Sequence, residues 1–134
     1  MAHNDLLKDL KPEKGFFVGI DSDGCAFPTM ELKHKECFIP NIVKYYNLQS
    51  VSKYAREAAE FVNLYSKWRG INRFPALIMV MELLADRPEV QKSGVRLPDL
   101  TDLKEWVDSG AALGNPALKA EVEKNANPSL KQAL

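Results

Sequence analysis

The sequence contains little of what marks several common classes of protein. Only two of its 134 residues are cysteine, and Cys25 and Cys37 have neither the spacing of a Cys-x-x-Cys zinc or redox site nor the density of a disulfide-rich secreted domain. The longest apolar run, from Ala76 to Met81, is far too short to cross a membrane. The first residues mix charged side chains with leucines, so they lack the apolar centre of a signal peptide. We therefore expect a cytoplasmic protein without a membrane partner.

An excess of one charge is also missing. Lysine and arginine together number 18, as do aspartate and glutamate, so the formal net charge is zero. The basic residues are dispersed along the chain, which gives no electrostatic basis for binding nucleic acid. Hydrophobic residues form 46% and charged residues 27% of the chain, a balance that is typical of one folded, soluble domain and not of disorder.

One short stretch combines apolar and acidic residues in a specific order. Residues 16–20, Phe-Phe-Val-Gly-Ile, predict a short strand that is buried on both faces. Asp21 and Asp23 follow at once, and Gly24 and Cys25 come next. The carboxyl ends of parallel strands are where such sheets usually bind ligands. Side chains two residues apart on an extended backbone point to the same side, so we expect both carboxylates to converge on one ligand.

The rest of the chain is predicted to be almost wholly helical. Residues 5–10 predict a helical turn, residues 25–38 have no helical period and are interpreted as irregular with hairpin-like pieces, and residues 86–97 are expected to be a loop. Capping residues and prolines predict the helix starts, and glycines 70 and 110 predict two helix ends. The predicted starts lie near Pro40, Ser52, Pro75, Asp99 or Thr101, Asn115 and Asn127.

The predicted helix that begins at Pro75 and ends at Ala85 has no wide polar face. Its side chains are apolar nearly all the way round, so we expect it to be buried on most sides. A small chain needs a partner to cover a large apolar surface that it cannot bury itself. The helix is therefore also the basis for expecting a homo-oligomer.

The order of apolar strand, Asp-x-Asp-Gly and a small residue resembles the first motif of the haloacid dehalogenase (HAD) superfamily, whose members are mostly phosphohydrolases. The literal match covers residues 16–25, and the helices after it resemble the helical cap that many of these proteins insert there. The implied fold class is mainly α, a helical cap-type bundle attached to one buried strand of an incomplete HAD-like α/β Rossmannoid core. Residues 1–30 would hold the strand and motif, and residues 31–134 a cap-like region that we expect to be truncated at its C-terminus.

The resemblance also implies a role for each residue of the motif. Asp21 would be the nucleophile and a magnesium ligand, and Asp23 the general acid and base, whose backbone carbonyl also binds the metal. Gly24 and Cys25 would form the phosphate loop, in which the glycine permits a sharp turn and the cysteine replaces the threonine or valine more usual in the family. The implied activity is Mg²⁺-dependent hydrolysis of a small phosphorylated substrate through an aspartyl-phosphate. The motif alone does not separate a phosphatase from a dehalogenase or a mutase.

The sequence also departs from the family and leaves alternatives open. The later motifs, which supply a serine or threonine, a lysine and further acids, are not found in a strand context, so the motif indicates a lineage more strongly than turnover by these residues. Asp21 and Asp23 are also compatible with a plain surface turn. A calcium loop would need an oxygen ligand at Cys25 and an acid at Leu32. A Cys25 nucleophile has no histidine near it in sequence, since the nearer of the chain's two is His34. The alternative function is a non-catalytic helical binding or assembly domain.

Overall fold

The computed structural model describes residue 11, residues 13–125 and residues 127–134. The helical turn predicted at residues 5–10 lies outside these residues. The α-helices are α1 (Thr29–Leu32), α2 (Ile39–Tyr45), α3 (Ser52–Glu60), α4 (Arg73–Ala85), α5 (Pro88–Ser93), α6 (Thr101–Asp108), α7 (Asn115–Asn125) and α8 (Pro128–Ala133). Two π-helical stretches, Lys33–Phe38 and Phe61–Tyr65, extend α1 and α3, and a 3₁₀ turn covers Gln49–Val51. The predicted mainly α class is confirmed.

The strand predicted over residues 16–20 is not observed. The stretch has no regular secondary structure, and its Phe16 and Phe17 side chains are 94% and 92% exposed. A parallel strand is held by hydrogen bonds to neighbouring strands in a sheet that is covered on both faces. The described part of the chain offers no second strand, and its one isolated bridge joins Asp23 to Phe27. Neither a buried strand nor a HAD-like core is therefore confirmed.

A π-helical stretch joins α1 and α2 into one continuous helix. Pro40, in the first turn of α2, has no N–H to give to the carbonyl four residues back. The Ile39 amide bonds instead to the His34 carbonyl, five residues back, so the helix is wider ahead of the proline. The prediction of hairpin-like pieces between residues 25 and 38 is wrong, because the helix has already begun at Thr29. The helix also crosses the expected domain boundary.

Helix α4 is the central helix of the fold and is shared by two hydrophobic clusters. One cluster contains buried residues of α2, α3 and α5 together with Ala76, Val80, Met81 and Leu84 of α4. The other contains Phe74 and Ile78 of α4 with Leu103, Trp106, Leu118 and Leu130 from α6, α7 and α8. The prediction of a helix buried on most sides is confirmed. Because the chain's own helices cover α4, its apolar surface no longer argues for a homo-oligomer.

The helix starts show where capping patterns predict a helix correctly and where they do not. Asn127 caps α8 as predicted, since its Oδ1 accepts hydrogen bonds from the amides of Ser129 and Leu130. Ser52 makes no capping bond. Its own amide already donates to the Gln49 carbonyl of the 3₁₀ turn, so the chain enters α3 from a preceding helical turn. The cap predicted at Ser52 is therefore wrong, although the helix after it is present.

The loop predicted over residues 86–97 contains a short helix. Pro88 is the first residue of α5, a position where its missing N–H costs nothing, and Gly94 ends the helix with a positive φ of 72°. Val90 lies in the hydrophobic cluster with α2 and α3 and is 2% exposed. One buried side chain therefore fixes a helix too short to show a period in the sequence. No helix among the described residues has both the length and the apolar content to span a bilayer.

Candidate functional site

A tight loop joins the exposed apolar stretch to α1. The Ala26 amide donates to the Asp21 carbonyl at 3.3 Å, and the Phe27 amide donates to the Ser22 carbonyl at 2.9 Å. The Gly24 amide donates in turn to the Phe27 carbonyl at 2.8 Å. These bonds turn the backbone back on itself. The prediction of extended backbone at the two aspartates is therefore wrong. Their spacing alone no longer argues that the two side chains converge.

Gly24 lies at the sharpest point of this loop. Its φ of +77° is in the left-handed region that glycine adopts readily. A Cβ atom at this position would lie 2.9 Å from Cγ of Met30 and 3.3 Å from the Nη2 atom of Arg69. The turn expected from the glycine is present. It also brings Arg69, which follows the second π-helical stretch, next to the loop.

The Asp23 carboxylate is engaged by two side chains of the helix that follows. Its Oδ1 accepts a hydrogen bond from Oγ1 of Thr29 at 2.7 Å, and its Oδ2 is paired with the ammonium group of Lys33. The bond from Lys33, and then the bond from Thr29, lower the pKa of Asp23 below its usual value. In this conformation Asp23 is therefore ionised at neutral pH and has no proton to donate.

Sequence reasoning missed Thr29 and Lys33 as residues of the site. They are four residues apart, a spacing that places two side chains on the same side of a helix. This spacing places the two residues together only if residues 29–38 are helical. The lack of a helical period there predicted irregular structure instead. The lysine expected from a later motif was sought in a strand context. A different lysine lies beside Asp23.

Asp21 and the backbone of Asp23 offer oxygens that the described residues do not engage. The Asp21 side chain is exposed, and no described residue donates to its carboxylate or to the carbonyl of Asp23. Mg²⁺ prefers such oxygen ligands and usually binds one or two carboxylates together with water and substrate phosphate. These two oxygens fit the ligand roles that the resemblance implies. The Asp23 carboxylate, which the resemblance implies as the general acid and base, is paired with Lys33.

Protein ligands for a complete metal site are not gathered here. Among the described residues, no group of three or more His, Cys, Asp or Glu side chains is placed to hold a metal ion. An ion bound to Asp21 would therefore complete its coordination with water or with oxygens of a substrate, which is a common arrangement for Mg²⁺.

Within the part of the chain that the structure describes, neither cysteine has the histidine partner that a thiol nucleophile needs. Cys25, in the loop, and Cys37, in the first π-helical stretch, are both exposed. His34 makes an edge contact with the ring of Phe38, with 5.2 Å between the ring centroids, and partial burial lowers its pKa. No described histidine bonds to either sulfur. The arrangement therefore gives no support to a cysteine–histidine pair.

Comparisons of this chain with protein-family models, with curated proteins and with solved structures find no match. Membership of the HAD superfamily, the Mg²⁺ cofactor and the roles of Asp21, Asp23, Gly24 and Cys25 therefore stay predictions from the sequence. The structure contributes local geometry to them. It shows a carboxylate at Asp21 that no described residue engages, an engaged carboxylate at Asp23 and a sharp turn at Gly24.

Proposed function

We propose that this chain carries the nucleophile of a HAD-like hydrolase, and that the activity is Mg²⁺-dependent hydrolysis of a phosphate ester through an aspartyl-phosphate at Asp21. The observation that carries the proposal is the contrast within Asp-x-Asp-Gly. Asp21 is exposed and no described residue engages its carboxylate, as a nucleophile requires, whereas the Asp23 carboxylate is held by Thr29 and Lys33.

The two aspartates have different parts in the proposed reaction. An oxygen of Asp21 attacks phosphorus and the bond to the leaving oxygen breaks, while Asp23 gives that oxygen a proton. Water then attacks the phosphorus of the acyl phosphate and gives a proton to Asp23, which frees Asp21. A bound magnesium ion supplies charge neutralisation of the transferring group. Because Lys33 lowers the pKa of Asp23, Lys33 must leave that carboxylate before Asp23 can act as an acid.

The loop around Gly24 supports the binding of an anion. The Gly24 amide is used within the loop, but no described residue accepts a bond from the Cys25 amide. Arg69 is exposed and lies next to Gly24, where it adds a positive charge. A phosphate held between the Cys25 amide and Arg69 would lie against the same loop as the Asp21 carboxylate.

The test uses the 134-residue chain with acetyl phosphate and Mg²⁺. We expect mass spectrometry to find one added phosphoryl group on the peptide that contains Asp21, together with slow release of inorganic phosphate. Asp21→Asn should abolish both. The matched control is Asp108→Asn, which removes the same charge from an exposed residue at the end of α6.

Two results would overturn the proposal. One is a wild-type chain that takes up no phosphoryl group at any Mg²⁺ concentration. The other is equal incorporation in the Asp21→Asn and Asp108→Asn variants, since this would place the reaction at another residue.

A second candidate function is a non-catalytic binding or assembly domain, and the exposed apolar stretch favours it. Phe16, Phe17, Val18 and Ile20 are between 76% and 94% exposed, which is unusual for four large apolar residues so close together. Sedimentation velocity tests this function. We expect the wild-type chain to associate as its concentration rises, and the double variant Phe16→Ser, Phe17→Ser to remain monomeric. A wild-type chain that is monomeric throughout would contradict an assembly through this stretch.

A further inference from the structure

A groove with a volume of about 660 Å³ lies between α2, the first half of α4 and α8. Small-molecule sites typically have volumes of about 300–1,000 Å³. None of its lining residues belongs to the loop that holds Asp21 and Asp23. We propose that this groove is a second binding site, independent of the proposed hydrolase function, for a small molecule with a flat apolar body and one anionic group.

Aromatic rings supply the apolar surface of the groove. Tyr46 and Phe74 are buried against it, at 7% and 2% exposure, whereas Phe38 and Tyr45 are 52% and 60% exposed at its sides. The groove therefore presents rings to solvent beside rings that the core holds in place. A flat ligand that covers the exposed rings removes apolar surface from water, and ring pairs add their own preferred geometries.

Hydrogen bonds fix the walls of the groove without any ligand. The Tyr45 carbonyl accepts a bond from Nε2 of Gln132 at 2.9 Å, and the Tyr46 hydroxyl donates to the Gln132 carbonyl at 3.4 Å. Leu130 anchors α8 in the core at 3% exposure, and Asn127 caps its first turn. These contacts hold α8 against α2, although the two helices are far apart in the sequence. A ligand therefore enters a preformed groove.

The charged side chains that line the groove are both positive, and together they outweigh the single negative charge that the terminal carboxylate of Leu134, also a lining residue, carries in the 134-residue chain. The two positive side chains are Arg73 and Lys131, and no Asp or Glu side chain is among the described lining residues. The Arg73 guanidinium bonds to Oδ1 of Asn115 and lies 4.4 Å from the centroid of the Phe74 ring, which fixes it at the edge of the groove. Two cations beside an apolar surface favour a ligand that is both aromatic and anionic.

Tyr46 does not offset this positive charge. Burial raises its pKa to about 12, and the charge of Arg73 opposes that rise only in part. Tyr46 is therefore an uncharged phenol at physiological pH. Its hydroxyl is already used as a donor to α8, so it contributes ring surface to the groove and no negative charge.

The test compares two dyes that share a ring system. 8-Anilinonaphthalene-1-sulfonate carries a sulfonate, and N-phenyl-1-naphthylamine has the same rings without a charge. We expect both to bind saturably in fluorescence titrations, with the anion bound more tightly at low salt. The advantage of the anion should shrink as salt screens Arg73 and Lys131.

Two lysines allow a matched comparison of charge. Lys131 and Lys92 are exposed basic residues in the last turns of six-residue helices, and only Lys131 lines the groove. We expect Lys131→Glu to weaken binding of the anionic dye by about threefold or more and to leave the neutral dye unchanged, from the size of exposed charge interactions. Lys92→Glu should change neither. Equal effects of the two substitutions would overturn the inference.

A third variant locates the bound dye. Asn41 is an exposed residue of α2 that lines the groove, so Asn41→Trp should fill the space and abolish saturable binding of both dyes while the helical circular dichroism is retained. Asp21→Asn should bind both dyes as the wild type does. Binding that survives Asn41→Trp unchanged would place the dye elsewhere, with the exposed residues 16–20 as the obvious location, and would also overturn the inference.

Discussion

Thr29 donates its hydroxyl hydrogen to the carboxylate of Asp23 at 2.7 Å, across six residues of sequence. Lys33, one helical turn further on, is paired with the other carboxylate oxygen. The residue that the motif predicts to act as acid and base is therefore tied to the helix after it. In this conformation Asp23 orders the loop, and any catalytic role requires these contacts to change.

Replacing Lys33 with glutamine is expected to raise the pKa of Asp23 toward its ordinary value of 3.8, because Lys33 is the largest cause of its lowering. A carboxylate whose pKa is lowered by folding stabilises the folded state above its unfolded pKa, and this contribution is lost as the pH falls through the folded pKa. The order of the loop should therefore decline only in acid. A ¹³C NMR titration of the side-chain carboxyl groups measures the pKa of Asp23 in the wild type and in the variant.

Asp99 provides an internal control in the same titration. Its pKa is also lowered, by bonds from the side chain and backbone of Thr101, and Lys33 is not among the causes. It should titrate alike in the wild type and in Lys33→Gln. An unchanged titration of Asp23 in the variant would show that the Lys33 pair does not persist in solution.

Replacing Phe74 with alanine is expected to lower the free energy of unfolding by about 3–5 kcal/mol, as for other large core aromatics. Phe74 is 2% exposed, and its ring meets that of Trp106 edge-to-face, with 5.1 Å between centroids and an interplanar angle of 88°. Phe16→Ala is the control, and should change the free energy by no more than about 0.5 kcal/mol. Urea denaturation measures both. Comparable losses would mean that residues 16–20 are buried in solution.

An asparagine and a serine at two helix starts should contribute unequally to the free energy of unfolding. Asn127→Ala removes a cap that accepts bonds from two amides, and should cost about 1 kcal/mol of unfolding free energy. Ser52→Ala removes no capping bond, and should cost a few tenths of a kcal/mol at most. Urea denaturation of the two variants side by side is the measurement. A larger loss for Ser52→Ala would restore the cap that the sequence predicts there.

Both thiols should react with Ellman's reagent in the folded chain, because Cys25 and Cys37 are exposed. Cys25→Ser and Cys37→Ser should each remove one equivalent of released thiolate. Intrinsic tryptophan fluorescence in the same sample shows that the chain stays folded. A thiol that reacts only after urea is added would be buried in solution, which would contradict its exposed position in the structure.

Helix α4 shows what a local pattern can predict. Its apolar side chains continue around the helix, so burial on most sides follows from the sequence alone, whichever neighbours cover it. The cap at Asn127 is similar, because the bonds it accepts come from amides two and three residues away. Both of these features depend on only a few consecutive residues, and both were predicted correctly.

Local sequence pattern failed to predict two segments, the first π-helical stretch and residues 16–20. No regular period marks the helix from Thr29, since its hydrogen bonds shift by one residue ahead of Pro40. Residues 16–20 are equally apolar whether a sheet covers them or not. Burial requires a second surface, and a local sequence carries no information about whether that surface is supplied.

The sequence by itself determined that the chain is mainly helical, that α4 lies in the core, and that two carboxylates and a glycine occur together in one short segment. Only the tertiary structure decided that Thr29 and Lys33 engage one of those carboxylates, that Arg69 lies beside the glycine, and that the apolar residues before them stay exposed. Helix formation and capping depend on neighbours in the chain. The charge and burial of a side chain depend on whichever residues folding brings next to it.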